Sequence, residues 1–278
     1  MKVSAIPDAS GALTDALGTR HRPAAGTVRI VSLVPSLTEL ACDLGLADRL
    51  VGRTGFCIHP RETLKRIPKV GGTKDVKVDV VRALAPTHLI VNVDENRRDV
   101  VEALADFVPN VIVTHPCRPE DNFGLYRLFG GIFRCEGHAG RLAADLESAF
   151  AAARTVAAAL PVEQVLYLIW REPWMSVSRD TYISATLRAV GWETLPGAPA
   201  SRYPEVDWQS PWITDVARVF LSTEPYRFRG RDLGEVERLS GCPSALIDGE
   251  MASWYGSRAA AGLRYLAQLR RALTVGDA

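Results

Sequence analysis

The sequence has almost no net charge: 33 Lys and Arg stand against 32 Asp and Glu, which leaves +1. Without a basic excess there is no electrostatic footprint for nucleic acid or for an anionic membrane surface. No apolar run approaches the roughly 18 residues that a membrane span needs, so no membrane insertion is expected. The five cysteines, Cys42, Cys57, Cys117, Cys135 and Cys242, are odd in number and scattered. That is not a disulfide framework, and it suits a reducing compartment. Catalytic signatures are missing too, with no G-x-S-x-G, P-loop or G-x-G-x-x-G in a strand–turn–helix context. Asp94, Glu95 and Glu172 are acids on loop ends and are read as solvated. Ser36 is read as a plain helix cap. No catalytic residue is assigned, and the chain is not expected to be an enzyme.

Residues 1–27 (MKVSAIPDASGALTDALGTRHRPAAGT) lack the continuous apolar core of a secretory signal. They are expected to form a flexible leader. A cytoplasmic location is favoured on that ground, and a periplasmic one follows only if the true start lies upstream.

A long helical pattern organises what is present. From Gly137 to Leu160 the apolar side chains Leu142, Leu146, Phe150, Ala153, Val156 and Leu160 recur at steps of three and four. Alanine fills most other positions, and Pro161 stops the pattern. Strand and helix patterns alternate on both sides of it. The fold class expected is α/β, with two Rossmann-like lobes of mainly parallel sheet joined by one long backbone helix and a ligand cleft between the lobes. The boundaries are 28–136 for the N-terminal lobe, 137–161 for the connecting helix and 162–278 for the C-terminal lobe. A single helical connection predicts only a small hinge motion on binding, and a monomer is expected.

In parallel sheets the loops after the strands' C-terminal ends line the ligand crevice. In the first lobe these are Val34–Ser36, Gly55–Pro60, Val93–Glu95 and His115–Pro119. In the second they are the segments WREPWM (170–175), STEPYRF (222–228) and DGEMASWYGSR (248–258). All six tryptophans follow the long helix. Trp170, Trp174, Trp208 and Trp254 fall in predicted loops, with Tyr203, Tyr226, Phe228 and Tyr255 near them. Trp192 and Trp212 are read as plugs of their own lobe. Arg171, Glu172, Arg227, Glu250 and Arg258 lie among the loop aromatics. Aromatic walls with a few fixed charges suit a large amphipathic ligand bearing amides or carboxylates.

RIVSLVPSLTELACDLGL, then KVGGTKDVKVDVVRALAPTHLIV, then the long helix and a second α/β lobe ending in an aromatic loop carry a resemblance over about residues 28–272. The chain resembles the class III, helical-backbone substrate-binding proteins that serve ABC importers, and within them the vitamin B12-binding group. That resemblance implies capture of cobalamin or a related corrinoid or metal chelate, with no cofactor required and an ABC permease as candidate partner. Phe56 stands where the group has an aromatic after the second strand. Trp170 or Trp174 matches an aromatic after the backbone helix, and Tyr203 before Pro204 replaces a tryptophan. Glu250 and Trp254 stand at an acidic and basic pair, so the acid survives and the base does not. Thr73 replaces a first-lobe tryptophan. Asp79 matches one transporter-docking acid, but Gln209 replaces the other. A cytosolic tetrapyrrole-handling protein not coupled to a transporter therefore stays open as an alternative.

The expected ligand-binding set is Phe56, His59, Trp170, Arg171, Trp174, Tyr203, Glu250, Trp254, Tyr255 and Arg258. A second constellation competes with it. Cys57-x-His59 and His115-x-Cys117 lie on exit loops of the first lobe, and two thiols with two imidazoles would suit Zn²⁺ or a similar metal. His59 or His115 could instead serve as an axial ligand to bound cobalt or haem.

Overall fold

The computed structural model describes residues 13–276. The chain divides into two compact units. Unit 1 comprises Met1–Pro116, Glu120–Ala144 and Tyr255–Ser257, and unit 2 comprises Cys117–Pro119, Asp145–Trp254 and Arg258–Ala278.

Unit 1 begins with a small antiparallel hairpin, β1 (Leu13–Thr14) and β2 (Arg20–His21). There follow β3 (Ile30–Ser32), α1 (Pro35–Asp43), β4 (Leu50–Arg53), α2 (Arg61–Leu64) and α3 (Val78–Ala83). Next come β5 (His88–Asn92), α4 (Arg98–Ala105), β6 (Asn110–Thr114) and α5 (Asp121–Phe133). The strands pair in parallel in the order β4-β3-β5-β6. Every residue of β5 is buried, as the apolar centre LIV of HLIVN implies for a sheet covered on both faces. Val31, Leu33, Val70, Leu89, Val91 and Leu104 are part of the core. Helix α1 starts at Pro35, earlier than expected, because proline's fixed φ is preorganised for a first turn and its missing N–H costs nothing there.

The expectation of a loose leader needs correction for residues 13–27; residues 1–12 lie outside the described part. The buried Asp15 carboxylate accepts from the backbone N–H of Leu17 and Thr19 at 3.0 Å, from Val113 N–H at 3.1 Å and from His21 Nε2 at 3.1 Å. Ala16 N–H also donates to the Val113 carbonyl. The hairpin is thereby stitched to β6. Burial by itself pushes the Asp15 carboxyl up, and the four hydrogen bonds override it, leaving the group below its ordinary range.

Helix α6 (Glu136–Ala159) is continuous, and the chain passes from unit 1 to unit 2 within it, after Ala144. Its Leu146, Phe150, Ala153 and Val156 are buried, the stripe read from the sequence. Among the described residues no helix is long and apolar enough to cross a membrane.

Unit 2 continues with β7 (Glu163–Leu168), α7 (Tyr182–Arg188), β8 (Trp192–Leu195), β9 (Arg218–Ser222) and α8 (Gly230–Ser240). It ends with β10 (Ser244–Ile247), α9 (Gly249–Ser253) and α10 (Arg258–Gly276). The sheet is again parallel, in the order β10-β9-β7-β8. Strand β8 is an edge strand that the sequence pattern did not reveal, since WETL offers only four residues of alternation. Its Trp192 is fully buried and meets Phe220 edge-on at 4.6 Å. Trp212 packs against the core formed by Leu166, Leu168, Val219, Leu221 and Phe228. The last exit loop also holds an unexpected short helix, α9, capped by Asp248, whose carboxylate accepts from Met251 N–H at 3.2 Å.

Candidate functional site

The exit loops of unit 2 gather most of the expected residues. After β7, Trp170 is 42% exposed and meets Tyr226 of the β9 exit loop at 5.6 Å, edge to face. Its neighbour Arg171 turns back to α8, pairing with Asp232 at 3.3 Å and Glu235 at 2.8 Å. Asp232 is itself fixed by accepting from Arg229 N–H at 2.7 Å. Trp174 stacks on Phe228 at 5.9 Å and meets Trp208 edge-on, so it belongs to the wall of the core. Tyr203 is exposed.

A second group forms where the β9 exit loop, α9 and the start of α10 meet. Trp254 is buried, and its indole N–H donates to Glu224 Oε2 at 2.9 Å. The Arg258 guanidinium lies 4.7 Å from the Trp254 ring and donates to Glu250 Oε2 at 2.5 Å. Glycine at 249 permits this packing: a Cβ there would lie 2.6 Å from Glu224 N and 2.9 Å from Glu224 Cβ. Burial, then the charge of Glu250, push the Glu224 carboxyl up to about 6.

Unit 1 is arranged differently. Phe56 and Ile58 are exposed on the β4 exit loop, at 63% and 50%, and His59 is half-buried beside them. His115 Nε2 lies 3.4 Å from Asp94 Oδ2. Tyr255 is buried, and its hydroxyl donates to Glu95 Oε1 at 2.5 Å. Burial first, and then the charge of Glu95, raise the Tyr255 hydroxyl well above its usual range. The next residue, Gly256, is in the left-handed region at φ 82°, with its N–H on Asn122 Oδ1 and its carbonyl on the Tyr126 hydroxyl. A Cβ at 256 would sit 3.2 Å from Leu40 Cβ.

The proposed cysteine–histidine metal set does not assemble. Cys57 is fully buried, with the Thr38 and Thr54 hydroxyls each 3.1 Å from its sulfur, and burial raises its thiol pKa. A thiol held in its protonated form by a dry pocket is a poor metal ligand. Cys117 lies in unit 2 with Arg202 at 3.9 Å. Among the described residues no group of three or more His, Cys, Asp or Glu side chains is placed to hold a metal ion.

Residues 30–225 match the family described as periplasmic binding protein. The chain belongs to that family. A vitamin B12-binding protein of Yersinia pestis (strain Pestoides F) is 36% identical over 81 residues, which is 29% of this chain and 28% of that relative. The aligned part thus spans just over a quarter of the relative's length. Among solved structures, the periplasmic vitamin B12 binding protein of Vibrio cholerae superposes with a TM-score of 0.73 at 16% identity, covering 87% of this chain and 97% of that one. A periplasmic heme binding protein of the same organism gives 0.73 at 20% identity, over 88% and 99% of the two chains. One from Pseudomonas aeruginosa gives 0.75 at 20%, over 87% and 91%. These likenesses establish the fold of two parallel-sheet α/β units. The family consists of binding proteins, in keeping with the expectation that the chain is not an enzyme. The cytoplasmic location favoured from the sequence is overturned: the family is periplasmic, as are the solved proteins that share the fold.

Within this periplasmic binding protein, Glu224 and Glu95 are the acids of the candidate site that sequence reading left out of the ligand set. Both were visible as acids on strand-exit loops. What marks them out is a partner 30 residues away for Glu224 and 160 away for Glu95, which spacing does not reveal. An open cavity of about 410 Å³ lies elsewhere on unit 2, lined by Ser178, Arg179, Asp180 and Arg202 among others. Its arginines are engaged, Arg179 with Glu193 at 3.2 Å and Arg202 with Asp180 at 3.5 Å. It holds none of the expected ligand residues.

Proposed function

We propose that this chain captures a cobalamin or a related corrinoid outside the cytoplasm, without chemistry, and presents it to an ABC permease. The observation that carries the reading is the set of unit 2 exit loops. They combine exposed Trp170 and half-buried Tyr226 with the Trp254, Glu224, Glu250 and Arg258 cluster. Flat aromatic surface supplies most of the contact area for a macrocycle, and a few fixed polar groups set its orientation. Phe56 and His59 of unit 1 complete the proposed ligand set, with Tyr203, Arg171, Trp174, Tyr255 and Arg258 as named above. Arg171, Tyr255 and Arg258 would act through their present acid partners, shaping the surface and its charge rather than donating freely.

The vitamin B12-binding relatives support the corrinoid assignment, and the heme-binding proteins of the same fold make haem the alternative. For the permease, exposed Asp79 in the first turn of α3 is the proposed docking acid of unit 1. Asp79→Ala is expected to slow uptake in a transport assay while leaving ligand affinity unchanged.

Tryptophan fluorescence titrated with cyanocobalamin, dicyanocobinamide, hemin and Zn²⁺ tests the reading. Saturable quenching by a corrinoid is expected, weakened at least tenfold in Trp170→Ala. Quenching by hemin alone would transfer the assignment to haem. Response to Zn²⁺ with no response to any macrocycle would overturn it.

A further inference from the structure

The corrinoid reading leaves open what in the site tells amide-bearing from carboxylate-bearing macrocycles. Glu224 follows β9 and lies at the C-terminal end of the parallel sheet, where such folds take their ligands. Its carboxylate has two oxygens, and the Trp254 indole fixes one of them, Oε2. Among the described residues no protein donor reaches the other, Oε1, and the residue is only half-buried. Its backbone N–H is set by Ser222 Oγ at 3.3 Å, and a Cβ at Gly249 in α9 would lie 2.9 Å from its own Cβ, so only glycine leaves it room. The carboxylate is therefore held in place with one acceptor still open.

Glu224 has the charges of two other acids close to it, Glu250 and Asp248, and that of the Arg258 guanidinium, which donates to Glu250. Arg227, on the same loop as Glu224, is exposed and forms no ion pair with this group among the described residues. An added carboxylate would meet the like charge of the half-buried Glu224 carboxylate, whereas an amide N–H would meet an oriented acceptor.

We propose that Glu224 is a specificity residue of the ligand site, accepting a hydrogen bond from a carboxamide N–H of the bound macrocycle and excluding macrocycles that carry carboxylates. Corrinoids carry peripheral carboxamides, and haem carries two propionates. Burial first, and then the charge of Glu250, raise the Glu224 carboxyl. This inference rests on the proposed function, and its test separates the two.

The experiment measures affinity for dicyanocobinamide and for hemin in the whole protein and in Glu224→Gln, an isosteric change. A charge-assisted hydrogen bond and a repelled carboxylate respond in opposite directions. Glu224→Gln is expected to weaken dicyanocobinamide about tenfold and to tighten hemin several-fold. Trp254→Phe, which removes the N–H that holds Glu224 but keeps the ring, is expected to weaken dicyanocobinamide by a smaller factor. A Glu224→Gln change that moves both ligands in the same direction, or neither, overturns the inference and leaves the corrinoid reading standing. A wild-type protein that prefers hemin overturns the inference and moves the assignment to haem. A wild-type protein that binds neither macrocycle overturns both.

Discussion

The two units share one sheet plan and differ in what hangs from it. Each has four parallel strands with the first strand of the unit's sheet toward the middle. In unit 1 the exit loops are largely closed upon themselves. The Asn96 side chain accepts from Asn92 N–H and donates to the Leu33 and Thr73 carbonyls, and Tyr255 answers Glu95. Phe56 and Ile58 are left as apolar, exposed tips. In unit 2 the loops carry tryptophans, arginines and acids that meet around Glu224. The same scaffold thus carries a mostly self-satisfied surface in one unit and a polar, aromatic one in the other. A fold supports such differences because loop residues are free of the packing demands that fix the sheet.

The largest effect should come from the buried aromatic core of unit 2. Trp192→Ala empties a fully buried site between Phe220 and Arg270, and a loss of about 3–5 kcal/mol is expected from cavity formation. Urea unfolding followed by circular dichroism checks it. A loss under about 1 kcal/mol would mean that α10 collapses into the space and that unit 2 is more plastic than its burial implies.

Next is the hairpin of unit 1. Asp15→Ala leaves Val113, Thr19 and Leu17 N–H groups without their acceptor, and a cost of about 2–3 kcal/mol is expected. The pH dependence has a definite sign. Asp15 has a depressed pKa, so its contribution is present above the unfolded carboxyl pKa and is lost as pH falls through the folded one. Acid titration of the wild type against Asp15→Asn should show the full difference at neutral pH and its loss at the acidic end.

Glu224 in unit 2 runs the opposite way. Its folded pKa of about 6 stands above the ordinary 4.5, so the folded state binds the proton more tightly. Stability from this group is full below 4.5 and is lost as pH rises through about 6. At neutral pH Glu224→Gln should therefore stabilise unit 2, by roughly 1–2 kcal/mol. Thermal melting at pH 5 and pH 7.5 tests this, and an equal shift at both values would break the contrast with Asp15.

The smallest effect is expected on the surface of unit 1. Arg98 and Glu102 of α4 form an ion pair at 2.7 Å with side chains 82% and 62% exposed. Arg98→Ala should change stability by less than about 0.5 kcal/mol, because solvent screens such a pair and holding it costs side-chain entropy.

Much of this was readable from the residues. HLIVN, NVIVT and SALI announced their strands to the residue, because buried parallel strands need short apolar, β-branched runs. The α6 stripe announced its helix. Strand β8 and the hairpin at Leu13–His21 escaped, since each depends on partners distant in sequence: Trp192 on β7 and α10, and Asp15 on Val113 of β6. At the site, loop tryptophans were legible as a class, but their division was not. Trp170 faces solvent, Trp174 packs into the core and Trp254 is buried with its N–H spent on Glu224.

The sequence by itself determined the alternation of strand and helix, the long helix and the position of the strand-exit loops, because those follow from periodicity and local backbone preference. Only the tertiary structure decided that Cys57 is fully buried, that Arg171 and Arg258 are already paired, and that the Trp254 indole is spent on Glu224. Burial and the balance of charge arise from residues far apart along the chain, and no local pattern encodes them.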